Sequence, residues 1–212
     1  WLLWLAMSLT VHAQEFLTAE TAQNDHDFYA MVSCAAPPQG ACGKQLVRWP
    51  KTDLTIGITK MDRAYLGGKK IRAAAALVRA IAEINAAGSA IRLTRDDVDP
   101  DIAILFLDIP ARSAIKGSGY PVLEGTPISA AGVRVFSKDG TIFKSVILFT
   151  TGLQKRAYES VMLEEIVQGL GLLTDIGCPY YETRSIFSQS SNALTKLGTQ
   201  DIMALGRHYP AR

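Results

Sequence analysis

Val161-Met162-Leu163-Glu164-Glu165-Ile166-Val167-Gln168-Gly169-Leu170-Gly171-Leu172-Leu173-Thr174-Asp175 is the stretch on which the reading of this chain turns. At about 3.6 residues per turn, Met162, Leu163, Ile166, Leu170 and Leu173 share one face of a helix that stops at a glycine. Glu164, Glu165 and Gln168 share the other face. Glu164 and Gln168 are neighbours one turn apart, the spacing two metal ligands on a helix need, yet neither is a histidine. Taken alone, the three polar side chains read as a solvated face. Set in a groove, two adjacent carboxylates could instead raise each other's pKa.

The flanking elements are read from the same kind of pattern. After Asp175 comes an irregular segment through Cys178, Pro179, Tyr180 and Tyr181. A terminal helix then covers Thr199 to Leu205, with Thr199 as its cap and Asp201 complementing its positive end. Before the stretch, a helix start near Lys155 follows two strands, Val133–Phe136 and Ile142–Phe149, joined through Asp139-Gly140, a pair suited to φ > 0. Pro110 to Ala131 is a long loop rich in Gly and Pro. Further back, Ile102–Leu107 is a continuous apolar run, as in a strand covered on both faces. Leu54–Thr59 and Ile91–Thr94 are two more strands. Between them an Ala-rich helix opens at Gly67-Gly68-Lys69-Lys70, with Ile71, Ala74, Ala75, Val78, Ile81 and Ala82 at helical spacing. Gly-Gly-Lys-Lys lacks the Ser or Thr and the longer turn of a phosphate loop. The order predicts a single α+β domain over 48–212, with a mixed twisted sheet, a long helix, a motif helix and a C-terminal helix.

Composition narrows the function classes. With 212 residues, 48% hydrophobic, the chain is long enough for one buried core. A net charge of +2 argues against a nucleic-acid partner. No apolar run reaches the roughly 18 residues of a membrane span. Trp1 to Val11 is apolar and uncharged, and Val11-His12-Ala13 before Gln14 has the small-x-small pattern of a signal-peptidase site. That predicts a signal peptide over 1–13, a secreted or periplasmic mature chain, and an irregular arm over 14–47. In that compartment Cys34 and Cys42, bracketing a Pro/Gly loop, are candidates for a disulfide. Cys178 is then left over, either buried and free or the true partner of one of them.

The layout from about Arg48 to Tyr209 resembles the zinc peptidases called metzincins. These carry His-Glu-x-x-His-x-x-Gly-x-x-His/Asp on a helix after a mixed sheet, then a Met-containing turn and a helix beginning Asp-Ile-x-Ala-Leu. Glu165 matches the general-base position and Gly171 the glycine turn; Ser185-Ile186-Phe187 resembles the Met-turn, with Phe187 for Met, and Asp201-Ile202-Met203-Ala204-Leu205 matches the last helix. Glu164, Gln168 and Thr174 stand at the three ligand positions, with Asp175 next. This degenerate form looks like the domain-of-unknown-function 2927 family of secreted bacterial proteins, which are regarded as metzincin-like.

Zinc prefers imidazole or thiolate, so the expectation is no metal and no cofactor. The resemblance implies a zincin fold kept as a non-catalytic pseudo-peptidase that binds a peptide or protein. The docking edge would be Val133–Phe136, with Asp175 and Tyr180 as cleft residues. The alternative is a divergent hydrolase using Glu165 as general base.

Overall fold

The computed structural model describes residues 15–191 and 193–211; the expected signal peptide lies outside them. The strand β1 (Glu15–Thr18) and helix α1 (Asp25–Cys34) lead into β2 (Asp53–Met61), α2 (Gly68–Ala86), β3 (Arg92–Arg95) and β4 (Ile102–Leu107). The short strands β5 (Ser113–Ala114) and β6 (Pro127–Ile128) pair within the long loop. The hairpin of β7 (Ala131–Lys138) and β8 (Thr141–Thr150) follows, then α3 (Tyr158–Gly169), β9 (Thr174–Gly177) and α4 (Thr199–His208).

Five of these strands form one mixed sheet in the order β3-β2-β4-β8-β7. All neighbours are parallel except β7, which runs antiparallel to β8 and forms an edge. Strand β4 is buried at every position, as its unbroken apolar run requires. Asp139 and Gly140 turn the β7–β8 hairpin at φ 51° and 79°. On one face of the sheet Ile56, Ile104 and Phe149 pack with Leu77 and Ile84 of α2 and Val161 and Ile166 of α3. On the other face Leu105, Leu107, Val146 and Leu148 pack against Ile115, Leu123 and Ile128, so the long loop closes a second, smaller core.

Two readings of the first half of the chain need correction. The 14–47 arm is not irregular throughout. Asn24 caps α1 by accepting from the amides of His26 and Asp27, and Phe28, Met31 and Val32 bury one face of the helix. α1 packs on α4 and β9, and β1 pairs with β9, so the arm belongs to the same body as the rest. In α2 the buried stripe is Ala73, Ala76, Leu77, Ala80 and Ile84, while Ile71 and Val78 are exposed. The Ala stripe presents the narrow side of the helix, which lets it approach β2 and α3 closely.

Cys34 and Cys42 form a disulfide with Cα atoms 5.2 Å apart, and Cys178 is free and buried. Among the described residues no helix is long and apolar enough to cross a membrane.

Candidate functional site

The motif helix follows a 3-10 turn at Lys155–Ala157. It is covered all round, because β7, β8 and α2 all pack against it. Glu164, Glu165 and Gln168 are 4%, 2% and 1% exposed, so the polar face is buried, not solvated. The helix ends earlier than its apolar pattern suggests. Leu170 caps it, and Gly171 turns the chain at φ +107°. A Cβ there would lie 2.3 Å from the Val47 carbonyl oxygen and 2.9 Å from His208 Nε2, so only glycine fits. The turn puts Thr174 and Asp175 on β9 and takes Leu173 off the helix.

β7 meets this helix at its free edge. The Thr150 amide donates to the Ala130 carbonyl at 2.9 Å, and Ala131 lies opposite Phe149. By antiparallel alternation, the N–H and C=O groups of Ala131, Val133 and Val135 therefore point away from β8. At Val133 both groups are taken. Its amide is turned to the Glu165 carboxyl and favours its charged form, and its carbonyl accepts from Arg134 Nη1 at 2.9 Å. Arg134 starts on the opposite face of the sheet, the face of Phe136, and wraps the edge to donate Nη2 to the Pro127 carbonyl at 2.9 Å.

The electrostatics of this buried cluster follow from its burial. Desolvation pushes the Glu165 carboxyl from the ordinary 4.5 up to about 8, and the nearby Asp175 pushes it further in the same direction. Arg134 and the Val133 amide oppose that shift. Glu165 therefore keeps its proton at neutral pH, and its Oε2 has no hydrogen-bond partner. The charge that adds to the effect of burial comes from Asp175 on β9. Gln168 donates Nε2 to Asp175 Oδ1 at 2.8 Å. Arg134 is 6% exposed, and burial lowers its pKa while Glu165 raises it.

A cavity of about 310 Å³ opens beside this cluster at the start of β7, walled by Arg112, Pro127, Ser129, Ala131, Gly132 and Arg134. Thr174 faces elsewhere, into a cavity of about 20 Å³ with Val47 and Val135. Tyr180 lines a different cleft again, of about 570 Å³, where the Arg184 guanidinium stacks 4.5 Å above its ring. The structure thus brings Glu165, Gln168 and Asp175 together, while Thr174 is buried beside a separate small cavity and Tyr180 lines another cleft.

The residues after the helix support it from behind. Asp201, fully buried, accepts from Ser185 Oγ at 2.6 Å, the Ile186 amide at 3.0 Å and the Gly198 amide at 2.8 Å. This fixes the Ser185-Ile186-Phe187 turn, whose Phe187 carbonyl accepts from the Ile176 amide of β9. Burial raises the Asp201 pKa to about 6 against the pull of these donors. Gly198, not Thr199, caps α4, because Asp201 reaches back to the Gly198 amide. His208, far from the motif in sequence, packs against Gly171. Its Nε2 donates to the Val47 carbonyl at 3.0 Å, and Nδ1 accepts from the Tyr29 hydroxyl at 3.2 Å, which itself accepts from Arg48. Burial and the Arg48 charge lower its pKa to about 4, so it is a neutral structural hinge pin.

The donor set does not fit zinc. An amide that donates to Asp175 and a threonine facing another cavity replace imidazoles. Among the described residues no group of three or more His, Cys, Asp or Glu is placed to hold a metal ion. Sequence reasoning missed Arg134. Its signal was a lone cation in the apolar run Val133-Arg134-Val135-Phe136.

Fold and site define a mixed α/β protein with a buried acid–amide–guanidinium cluster between a motif helix and an antiparallel edge strand. No protein-family model matches the chain, and no curated protein matches it.

Proposed function

We propose that the chain is an exported, metzincin-like pseudo-peptidase that binds an extended peptide or protein segment at the β7 edge without cleaving it. The observation that carries this reading is the state of Glu165. A general base must be ionised at the working pH and within reach of a water. Glu165 is 2% exposed, holds its proton up to about pH 8, and is engaged by the Val133 amide. The helix after a mixed sheet, the antiparallel edge strand and the Asp201-held turn support the zincin-like reading of the fold. The Cys34–Cys42 disulfide supports an oxidising compartment such as the periplasm or the cell exterior.

The edge is narrower than the sequence implies, because Glu165 and Arg134 close it at Val133. Binding therefore falls at the Ala131 end, beside the 310 Å³ cavity. The unpartnered Oε2 of Glu165 favours one other reading, a divergent hydrolase in which Glu165 acts after the cluster opens. Incubation with a degenerate peptide library, with and without added zinc, separates the two by mass spectrometry. The pseudo-peptidase reading expects no cleavage in either case. Cleavage that disappears in Glu165→Gln overturns it.

A further inference from the structure

Arg134 is a buried cation with an incomplete set of partners. Its guanidinium carries five N–H donors in a planar fork. Nη1 and Nη2 reach the Val133 and Pro127 carbonyls, while Nε–H meets no acceptor. Both partners are neutral, so they occupy donors without compensating the charge. The acid in electrostatic reach is Glu165, and among the described residues no ion pair joins it to the guanidinium. A guanidinium this deeply buried carries a desolvation cost that a bound anion would offset.

The cavity beside it has the matching shape and sign. Arg134 and Arg112 both line it, and none of its lining residues is acidic. The remaining walls are mostly small or apolar: Pro127, Ile128, Ala131 and Gly132. The β7 edge turns its Ala131 N–H and C=O outward there, two residues before Glu165 and Arg134 close it. A strand running the length of β7 would collide with that closure. A strand that ends there would not.

We propose that this cavity captures the C-terminal carboxylate of an extended peptide. The carboxylate sits on the Arg134 and Arg112 guanidiniums, and the last residues pair with the β7 edge at Ala131. This rests on the peptide-binding reading above and gives it a polarity and a terminus. Chain-end capture by a guanidinium combined with edge-strand addition joins two recurrent modes of peptide recognition.

The test uses two N-acetylated tetrapeptide libraries, one with free C-terminal carboxylates and one C-terminally amidated. Binding is read by isothermal titration and by the ¹⁵N–¹H signal of Arg134 Nε. Free-acid peptides should shift that signal and bind about tenfold more tightly than amides, the factor expected for one charge-assisted pair. Arg112→Gln, at an exposed position, should weaken the acids about tenfold more than it weakens the amides. Equal binding of acids and amides overturns the carboxylate assignment while the peptide-binding reading stands. Amidated peptides carrying an internal Asp that bind as tightly as free acids overturn the chain-end assignment. Failure of both libraries overturns this inference and the peptide-binding reading together.

Discussion

A Glu165→Gln protein should lose one component of the pH dependence of folding, and the structure gives its size. The folded protein holds the Glu165 proton to about pH 8, whereas the ordinary carboxyl releases it at 4.5. Between those values the folded state binds more protons than the unfolded chain. The contribution of this group is therefore complete below pH 4.5 and is lost as pH rises through 8. At about 1.4 kcal/mol per pH unit, about 3 kcal/mol is gone by pH 7 and about 5 kcal/mol by pH 9. Glutamine keeps an oxygen for the Val133 amide and has no proton to lose.

Urea unfolding of both proteins at pH 5, 7 and 9 measures the difference directly. Asp201 and His208 also titrate there, with opposite signs. Asp201, raised to about 6, loses its contribution as pH rises toward 6, and His208, lowered to about 4, loses its contribution as pH falls from 6.5. Both cancel in the comparison. The advantage of Glu165→Gln should grow by about 4 kcal/mol between pH 5 and 9. A difference that stays constant over that range refutes the buried acid, and with it the case against Glu165 as a general base.

Two glycines of the motif should respond in opposite ways. Gly169→Ala places its Cβ 3.6 Å from Ser145 Cβ and Val133 Cγ2, ordinary contact, and should stabilise the helix by up to about 1 kcal/mol. Gly171→Ala meets the Val47 carbonyl at 2.3 Å in a left-handed backbone and should cost about 3 kcal/mol or more. Thermal melts that rank the two the other way would contradict this account of the turn. Asp201→Ala leaves the Ile186 and Gly198 amides without their acceptor and should cost on the order of 3 kcal/mol in urea unfolding. An unchanged midpoint would mean that the Ser185–Phe187 turn does not depend on it.

Local signals carried most of the architecture. The Ile102–Leu107 run, the Asp139-Gly140 hairpin and the Asp-Ile-x-Ala-Leu helix are each written within a few residues, and each lies where its pattern puts it. α1 was missed, because its signals, Asn24, the acidic first turn and the Phe28, Met31, Val32 spacing, are confined to ten residues beside a Pro-rich loop. The state of Glu165 was not legible. It depends on Val133 and Arg134 of an edge strand and on Asp175 of β9, which arrive through tertiary packing and not through any spacing within the helix. The same holds for His208, which reaches Gly171 only once α4 is in place.

The pairing of β1 with β9 has a consequence for the order of assembly. Gln23 donates to the Tyr181 hydroxyl across 158 positions of sequence, and α1 rests on α4, the last helix. The β1–α1 segment thus docks on elements that follow it by most of the described sequence, and it has no such surface until they exist. Loop closure over that length adds cost only logarithmically, so the arrangement is affordable at equilibrium and slow in time. The Cys34–Cys42 link, spanning eight positions, can form locally while that segment waits. Until β1 is seated, the β9 edge beside Asp175 stays open, which makes the half-made chain the form most exposed to wrong partners.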